Sequence, residues 1–340
     1  MKTNWEIDSM KIKILTIGLL LVLAFTSAMG GNKKIAQTGF QFLSVISDAK
    51  AASMGGAVNS LPMKSGGLFF NPATMAKTDA FVDISASMNQ WIADINHNQF
   101  SVSINPMNGA LGVFGVSHQM VDYGDLQGTR VSDSELGYIE TGDFSPTAMS
   151  TGLGYAKNIT DRFAVGGQIK YVKQDLGEAV VPFGELQDST HTVDNDLSFI
   201  AYDFGTLFYT GWKSLSFGMS VRHFSQEKKY SAESFQLPLV FTIGISMDLM
   251  DFMEDMSDVH SLVASIDATH YRSHPEQLLI GLDYTFMNLL SLRGGYASNN
   301  DEDNLSFGVG ISQFGLELDY SYTPFGVFDN VKRFSVRFAL

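Results

Sequence analysis

"LSFGVGISQFGLELDYSY", residues 305–322, is the stretch whose reading decides the fold. Leu305, Phe307, Val309 and Ile311 alternate with Ser306, Gly308, Gly310 and Ser312. After Gln313-Phe314, Leu316, Leu318, Tyr320 and Tyr322 alternate with Glu317, Asp319 and Ser321. A period of two puts each set on its own face of a strand. One face is apolar and aromatic, the other small or charged, so these strands meet two different surroundings. The same alternation runs through Phe163–Tyr171 and Leu215–Val221.

Working outward gives about fourteen such segments from residue 80 to the C-terminus, starting near Phe81, Ile95, Gly109, Pro146, Arg162, Leu197, Ser214, Leu237, Ser261, Gln277, Leu290, Asn304, Gly315 and Lys332. Most run about ten residues, the length of a tilted strand crossing a bilayer. Their connections alternate. Asn105–Gly109, Lys157–Asp161, Trp212-Lys213, Asn288-Leu289 and Gln313-Phe314 are short; Asp122–Ser145, Asp175–Asp196, Ser225–Phe235 and Ala297–Asp303 are long. Short turns on one side and long loops on the other mark an even-stranded transmembrane barrel. Met247–Val259, rich in Met and Asp, breaks the rule and reads as a small periplasmic helix. The chain ends on an amphipathic strand, Phe334, Val336, Phe338 and Leu340. A soluble sandwich also alternates, but strand length, strand count, loop alternation and this last strand favour an all-β transmembrane antiparallel barrel.

Composition agrees. Of 340 residues 12% are aromatic and only 17% charged, against about 25% charged in soluble domains. A net charge of −14 offers no electrostatic route to nucleic acid. The absence of cysteine excludes disulfides, thiolate chemistry and Cys-ligated metals. Residues 1–30 read as a secretory signal peptide: Lys11 and Lys13, the apolar run Ile14–Phe25, then Ala28-Met29-Gly30. Glu6 and Asp8 suit a signal poorly, so Met10 is an alternative natural start.

Residues 31–79 have no strand alternation. Phe42, Leu43, Ile46 and Met54 approach helical spacing, with Ala49, Ala51 and Ala52 favouring a helix that Gly55-Gly56 stops. After Leu68, Phe69 and Phe70, the triplet Asn71-Pro72-Ala73 reads as the capped start of a short helix. Fourteen strands enclose more space than their own side chains fill. A compact helical piece ahead of them is therefore expected to be a hatch or plug for the lumen. A periplasmic arm is the alternative.

At this point the sequence resembles a known family. "GFQFLSVISDAKAASMGGAV", "GLFFNPATMA" and the closing "LELDYSYTPFGVFDNVKRFSVRFAL" are similar to PorV/PorQ outer-membrane proteins, relatives of FadL-type barrels in Bacteroidetes. The resemblance covers essentially the mature chain. It implies a FadL-like barrel of fourteen strands with an N-terminal hatch, whose motif maps to Gly55, Gly56, Phe69, Phe70, Asn71, Pro72 and Ala73. It further implies work in type IX protein secretion, binding C-terminal signal domains of cargo or partners in surface complexes. Leu340 departs from the usual terminal aromatic. Candidate loop contacts are Val181, Phe183, Phe325 and Phe328.

Other chemistry is weaker. Acids crowd Asp122–Asp143 and Asp175–Asp196 without calcium-loop spacing, and read as solvated loops. His270 and His274, with Asp267, have a zinc-like interval at a strand end, where it does not put them on one face. No Gly-x-Ser-x-Gly elbow accompanies a histidine base. No enzyme, metal or cofactor is expected. The alternative function is a FadL-type channel for hydrophobic small molecules, with Phe69 and Phe70 lining a small apolar site.

Overall fold

The computed structural model describes residues 38–182, 190–230, 233–253, 259–300 and 303–340. The signal peptide, Met10, residues 31–37 of the hatch segment and Phe183 lie outside the described residues.

Among the described residues eighteen strands follow the N-terminal segment: β1 Val82–Gln90, β2 Asn96–Ile104, β3 Val113–Asp122, β4 Leu126–Val131, β5 Tyr138–Phe144, β6 Thr147–Thr160, β7 Phe163–Pro182, β8 Thr190–Tyr209 and β9 Ser216–Ser225, then β10 Lys228–Tyr230, β11 Glu233–Phe235, β12 Val240–Asp248, β13 His260–Tyr271, β14 Gln277–Phe286, β15 Leu290–Ala297, β16 Leu305–Gln313, β17 Leu316–Thr323 and β18 Val331–Ala339. Fourteen of them close an antiparallel barrel in chain order, with β1 paired to β18. Closure leaves no strand edge inside the bilayer, where an unpaired backbone group has no partner.

Alternation sorts the two faces as the sequence implies. Phe307, Val309 and Ile311 point outward and are half exposed, while Ser306, Asp319 and Ser321 point inward and are buried. What buries them is the chain's own N-terminal segment. Thr38 bridges to Gln236 beside the long loops, and Phe40, Phe42 and Leu43 pack there against Val121, Ala148, Val172, Phe199 and Leu237. The chain then descends. Met54, Val58, Leu61, Met63 and Phe70 form a middle cluster, and Leu68, Ala73 and Met75 meet Val113, Ala156, Ala164 and Leu207 near the short turns. The segment thus runs the length of the lumen and leaves at the turn end, where β1 begins. Beside that exit Lys77 lies over the Tyr209 ring. Burial pulls its ammonium below the ordinary lysine value, against the opposing pull of the Asp161 and Asp79 carboxylates.

The segment departs from the helix expected over Phe42–Met54. Among its described residues only Ala49–Ser53 is α-helical, capped by the Asp48 side chain at Ala51 N; Gln41–Ser44, Lys64–Phe69 and Pro72–Lys77 are 3₁₀ turns. Phe40 adopts a left-handed backbone and Val45 an extended one, so the apolar residues reach strands on different sides of the lumen rather than one helical face. Asn71 shows how the joints are made. Its Oδ1 accepts Ala73 N–H, while its Nδ2 donates to Asn59 O at 2.8 Å and Thr206 O at 3.0 Å. Gly205 and Gly166 admit this turn: a Cβ on either would overlap Asn71 or the Pro72-Ala73 backbone. Replacing Asn71 by alanine strips buried backbone groups of three bonds. It is expected to destabilise the protein by about 2–4 kcal/mol. Asn71→Asp, which keeps only the Ala73 bond, should recover little of that. The temperature at which the folded band converts to unfolded mobility on a denaturing gel measures both.

Three boundaries depart from the sequence reading. Pro106–Gly109 is a 3₁₀ turn and β3 starts at Val113, because Gly109 and Gly112 hold positive φ. The loops after β3 and β9 carry hairpins, β4–β5 and β10–β11. β7 and β8 pair beyond the barrel as a ribbon through Pro182 and Thr190, so β8 begins before Leu197. In the Met247–Val259 connection, Leu249–Phe252 forms one 3₁₀ turn capped by Asp248, and its Asp251 carboxylate accepts from Ser214 N–H at 2.7 Å.

Candidate functional site at the outer mouth

The loop end offers a shaped surface. Gln41, Ser44, Val45 and Ile46 form a floor, and the ends of β13–β18 with Trp91 form walls around a cavity of about 320 Å³. Trp91 sits in the connection between β1 and β2 and meets Phe325 edge-on at a ring separation of 5.1 Å. Phe325 in turn meets Phe328 at 6.0 Å. Val327 between them is almost fully exposed. Under this aromatic rim the buried Arg333 donates from Nε to Ile46 O at 2.8 Å and from Nη1 to Thr323 Oγ1 at 2.9 Å, with its guanidinium 5.5 Å from the Trp91 ring. Arg333 therefore ties floor to wall and braces the rim from below, a contact that cation–π attraction favours.

The β7–β8 ribbon rises from the same end of the barrel, across the ring from the β13–β18 arc. Val181 lies on its exposed part, far along β7 rather than in a loop. Lys173 pairs with Asp175 at 3.4 Å and Asp196 at 3.5 Å at the ribbon's base. Gly177 lies under the Phe144 ring of the β4–β5 hairpin.

The remaining sequence candidates separate. Asp267 faces the lumen and accepts Asn59 N–H at 2.8 Å, whereas His270 sits exposed and pairs with Glu276 at 3.1 Å. The fold does not bring Asp267 and His270 together. Phe69 and Phe70 do not frame an apolar site. Arg222 donates to Phe69 O and lies 5.9 Å from the Phe70 ring. The space beside them is about 20 Å³, shared with Lys170 and His223, room for about one water.

Sequence reasoning missed two residues that build this mouth, Trp91 and Arg333. Trp91 lies in a connection too short to read as a loop. Arg333 occupies an ordinary inward slot of the last strand, and its charge in that slot was the available signal.

Comparison with known proteins places this architecture. A model of the family described as type IX secretion system membrane protein PorP/SprF matches residues 135–325, more than half of the chain. A search of curated proteins found no significant relative. Among solved structures, the chain is similar to the CymD monoaromatic hydrocarbon channel, with a TM-score of 0.57, 12% identity and coverage of 86% of this chain and 97% of that one. It is similar to the Pseudomonas putida toluene transporter TodX, with a TM-score of 0.52, 13% identity and coverage of 84% and 95%. A FadL homologue from Pseudomonas aeruginosa gives 0.51, 12% identity and coverage of 87% and 99%. These structural likenesses establish a FadL-like barrel fold; the membrane setting rests on the family match. The sequence resemblance to PorV/PorQ proteins pointed to the same secretion system through a different branch. By its family match, this chain belongs to the PorP/SprF family of type IX secretion system membrane proteins.

Proposed function

We propose that the protein is a non-catalytic docking barrel of the type IX system. Its lumen is filled by its own N-terminal segment, and its outer mouth receives the C-terminal signal domain of secreted cargo, as PorV-like proteins do, or a surface-complex partner. The observation that carries this reading is the exposed aromatic rim of Trp91, Phe325 and Phe328, braced by Arg333. Aromatic residues near the centre of a contact surface supply most of its binding energy. Co-purification in mild detergent tests this. The intact barrel should retain secreted proteins that share a C-terminal domain. A Trp91→Ala/Phe325→Ala/Phe328→Ala variant should lose about tenfold or more of that recovery, since each anchor contributes about 1–2 kcal/mol.

A second reading has a specific observation in its favour. The outer cavity includes Val45, Ile46, Leu279 and Ala297 beside Tyr271, a mostly apolar lining suited to a hydrophobic small molecule. Recovery of the barrel alone, carrying hydrocarbon or lipid, would select this channel reading and sink docking.

A further inference from the structure

Two cavities approach the same short helix from opposite ends of the barrel. From the loop end, the 320 Å³ cavity runs past Tyr271 and Leu279 down to Ala52, Gly55 and Ser306. From the turn end, a second cavity of about 230 Å³ opens beside Asn288 and rises between Asp283, Arg293, Glu317 and Asp319 to Lys50. Lys50 and Ala52 belong to one helix, Ala49–Ser53.

What separates the cavities is visible on the inner face of the wall. Passing from the loop end to the turn end, β14 presents Leu279, Gly281 and Asp283; β15 presents Ala297, Gly295 and Arg293; β16 presents Ser306, Gly308 and Gly310. The middle position is glycine in all three, and Gly281 pairs directly with Gly295. The N-terminal segment seats there. A Cβ on Gly281 would stand 2.7 Å from Met54 O, one on Gly295 would overlap Gly55 N and the Met54 carbonyl carbon, and one on Gly308 would overlap Ser53 Cβ. The barrier is a single turn of backbone, Ser53–Gly55, lying flat on the wall.

We propose that β14–β16 form a conduction path for small cations and water, held shut by the Ser53–Gly55 turn. This goes beyond cargo docking and does not depend on it. The two half-paths have volumes of about 320 and 230 Å³, and the inner one is polar or charged apart from Gly310 and Ile311. Its carboxylates, Asp283, Glu317 and Asp319, outnumber its cations, Lys50 and Arg293. Arg293 is itself shared between Asp283 at 3.0 Å and Asp319 at 2.5 Å. A surplus of carboxylates in a confined polar passage favours cations. The charged or titratable groups facing the outer half are Arg333, Asp303, His274 and Tyr271. The helix and turn meet the wall through two side-chain contacts, Ala49 N–H donating to Ser335 Oγ at 2.8 Å and Gly55 N–H to Ser306 Oγ at 3.1 Å, with Met54 buried in the middle cluster. Both are neutral hydrogen bonds to side chains of the wall.

Planar-bilayer recording in potassium chloride on the full-length protein tests the path. Gly295→Ala and Gly308→Ala each place a methyl where the turn now lies. The wall is fixed by its ladder, so the turn should lift. Open events should become about tenfold more frequent, the factor that about 1.4 kcal/mol of overpacking produces. Their reversal potential in a salt gradient should show potassium preferred over chloride. The chain has no cysteine, so an Ala49→Cys/Ser335→Cys pair in the Gly295→Ala background isolates the gate. Oxidation should silence the openings and reductant restore them. Both glycine variants are first confirmed as folded by heat-modifiable mobility. Folded variants that stay as closed as the parent, openings that survive the oxidised cross-link, or a chloride preference would each overturn the proposal.

Discussion

Replacing Arg337 with methionine is expected to destabilise the barrel by about 3–5 kcal/mol, the usual consequence of removing one partner from a buried ionic cluster. Arg337 lies on β18, buried and pointing inward. Its guanidinium reaches Glu317 at 3.2 Å, Asp83 at 3.8 Å and Asp48 at 4.0 Å. Without it, Glu317 keeps Lys64 at 2.9 Å, while Asp48 and Asp83 are left with the N–H groups of Ala51 at 2.8 Å and Ser65 at 3.0 Å. The cluster links β1, β17 and β18 to the Asp48 and Lys64 regions of the inner segment, so its loss should loosen wall and filling together. Methionine fills much of the volume, which makes charge the main variable. Arg337→Lys keeps the charge but not the three-way fork and should fall between parent and methionine variant. Heat-modifiable mobility gives the ordering, and a methionine variant as stable as the parent would show the cluster to be neutral.

Deleting residues 40–78 is expected to turn a nearly silent barrel into a large, permanently open pore. Barrels of about eight strands fill their own interior, while those of sixteen or more leave an aqueous channel unless plugged. At fourteen strands the wall side chains are mostly Ser, Gly, Thr and Asp, too small to meet across the lumen. The apolar residues that fill it, Phe42, Leu43, Met54, Met63, Leu68 and Met75, all come from the N-terminal segment. The expected conductance is therefore that of an open lumen, distinct from the small cation-preferring openings expected of Gly295→Ala. A deletion variant that folds and stays silent would remove the plug role from residues 40–78.

The barrel wall was legible because its signal is local. Alternation in Leu305–Ile311 or Leu316–Tyr322 needs only neighbouring residues and two environments. The outer additions lacked that signal: Leu126–Val131 and Tyr138–Phe144 stand clear of the barrel with both faces largely exposed, so nothing forces their residues to alternate. The inner segment was half legible. Asn71-Pro72 announces a helix start through its own chemistry. The Phe40–Leu43 stretch instead takes its path from strands that the sequence does not name as partners. The charged inward slots could be seen along β14–β18, but their pairing could not. Lys64 and Glu317 lie 253 positions apart, and only closure of the ring brings them together.

That closure also ties the seal of the ring to the grip on its contents. The seam joins the first strand to the last, and the last strand brings three of the groups that grip the inner segment: Arg333 on Ile46, Ser335 on Ala49 and Arg337 beside Asp48. Until β18 arrives, the segment lacks these clamps and the sheet is an open curl. Sealing of the ring and locking of its contents therefore depend on the same strand. A truncated chain ending before Val331 would hold neither seal nor lock.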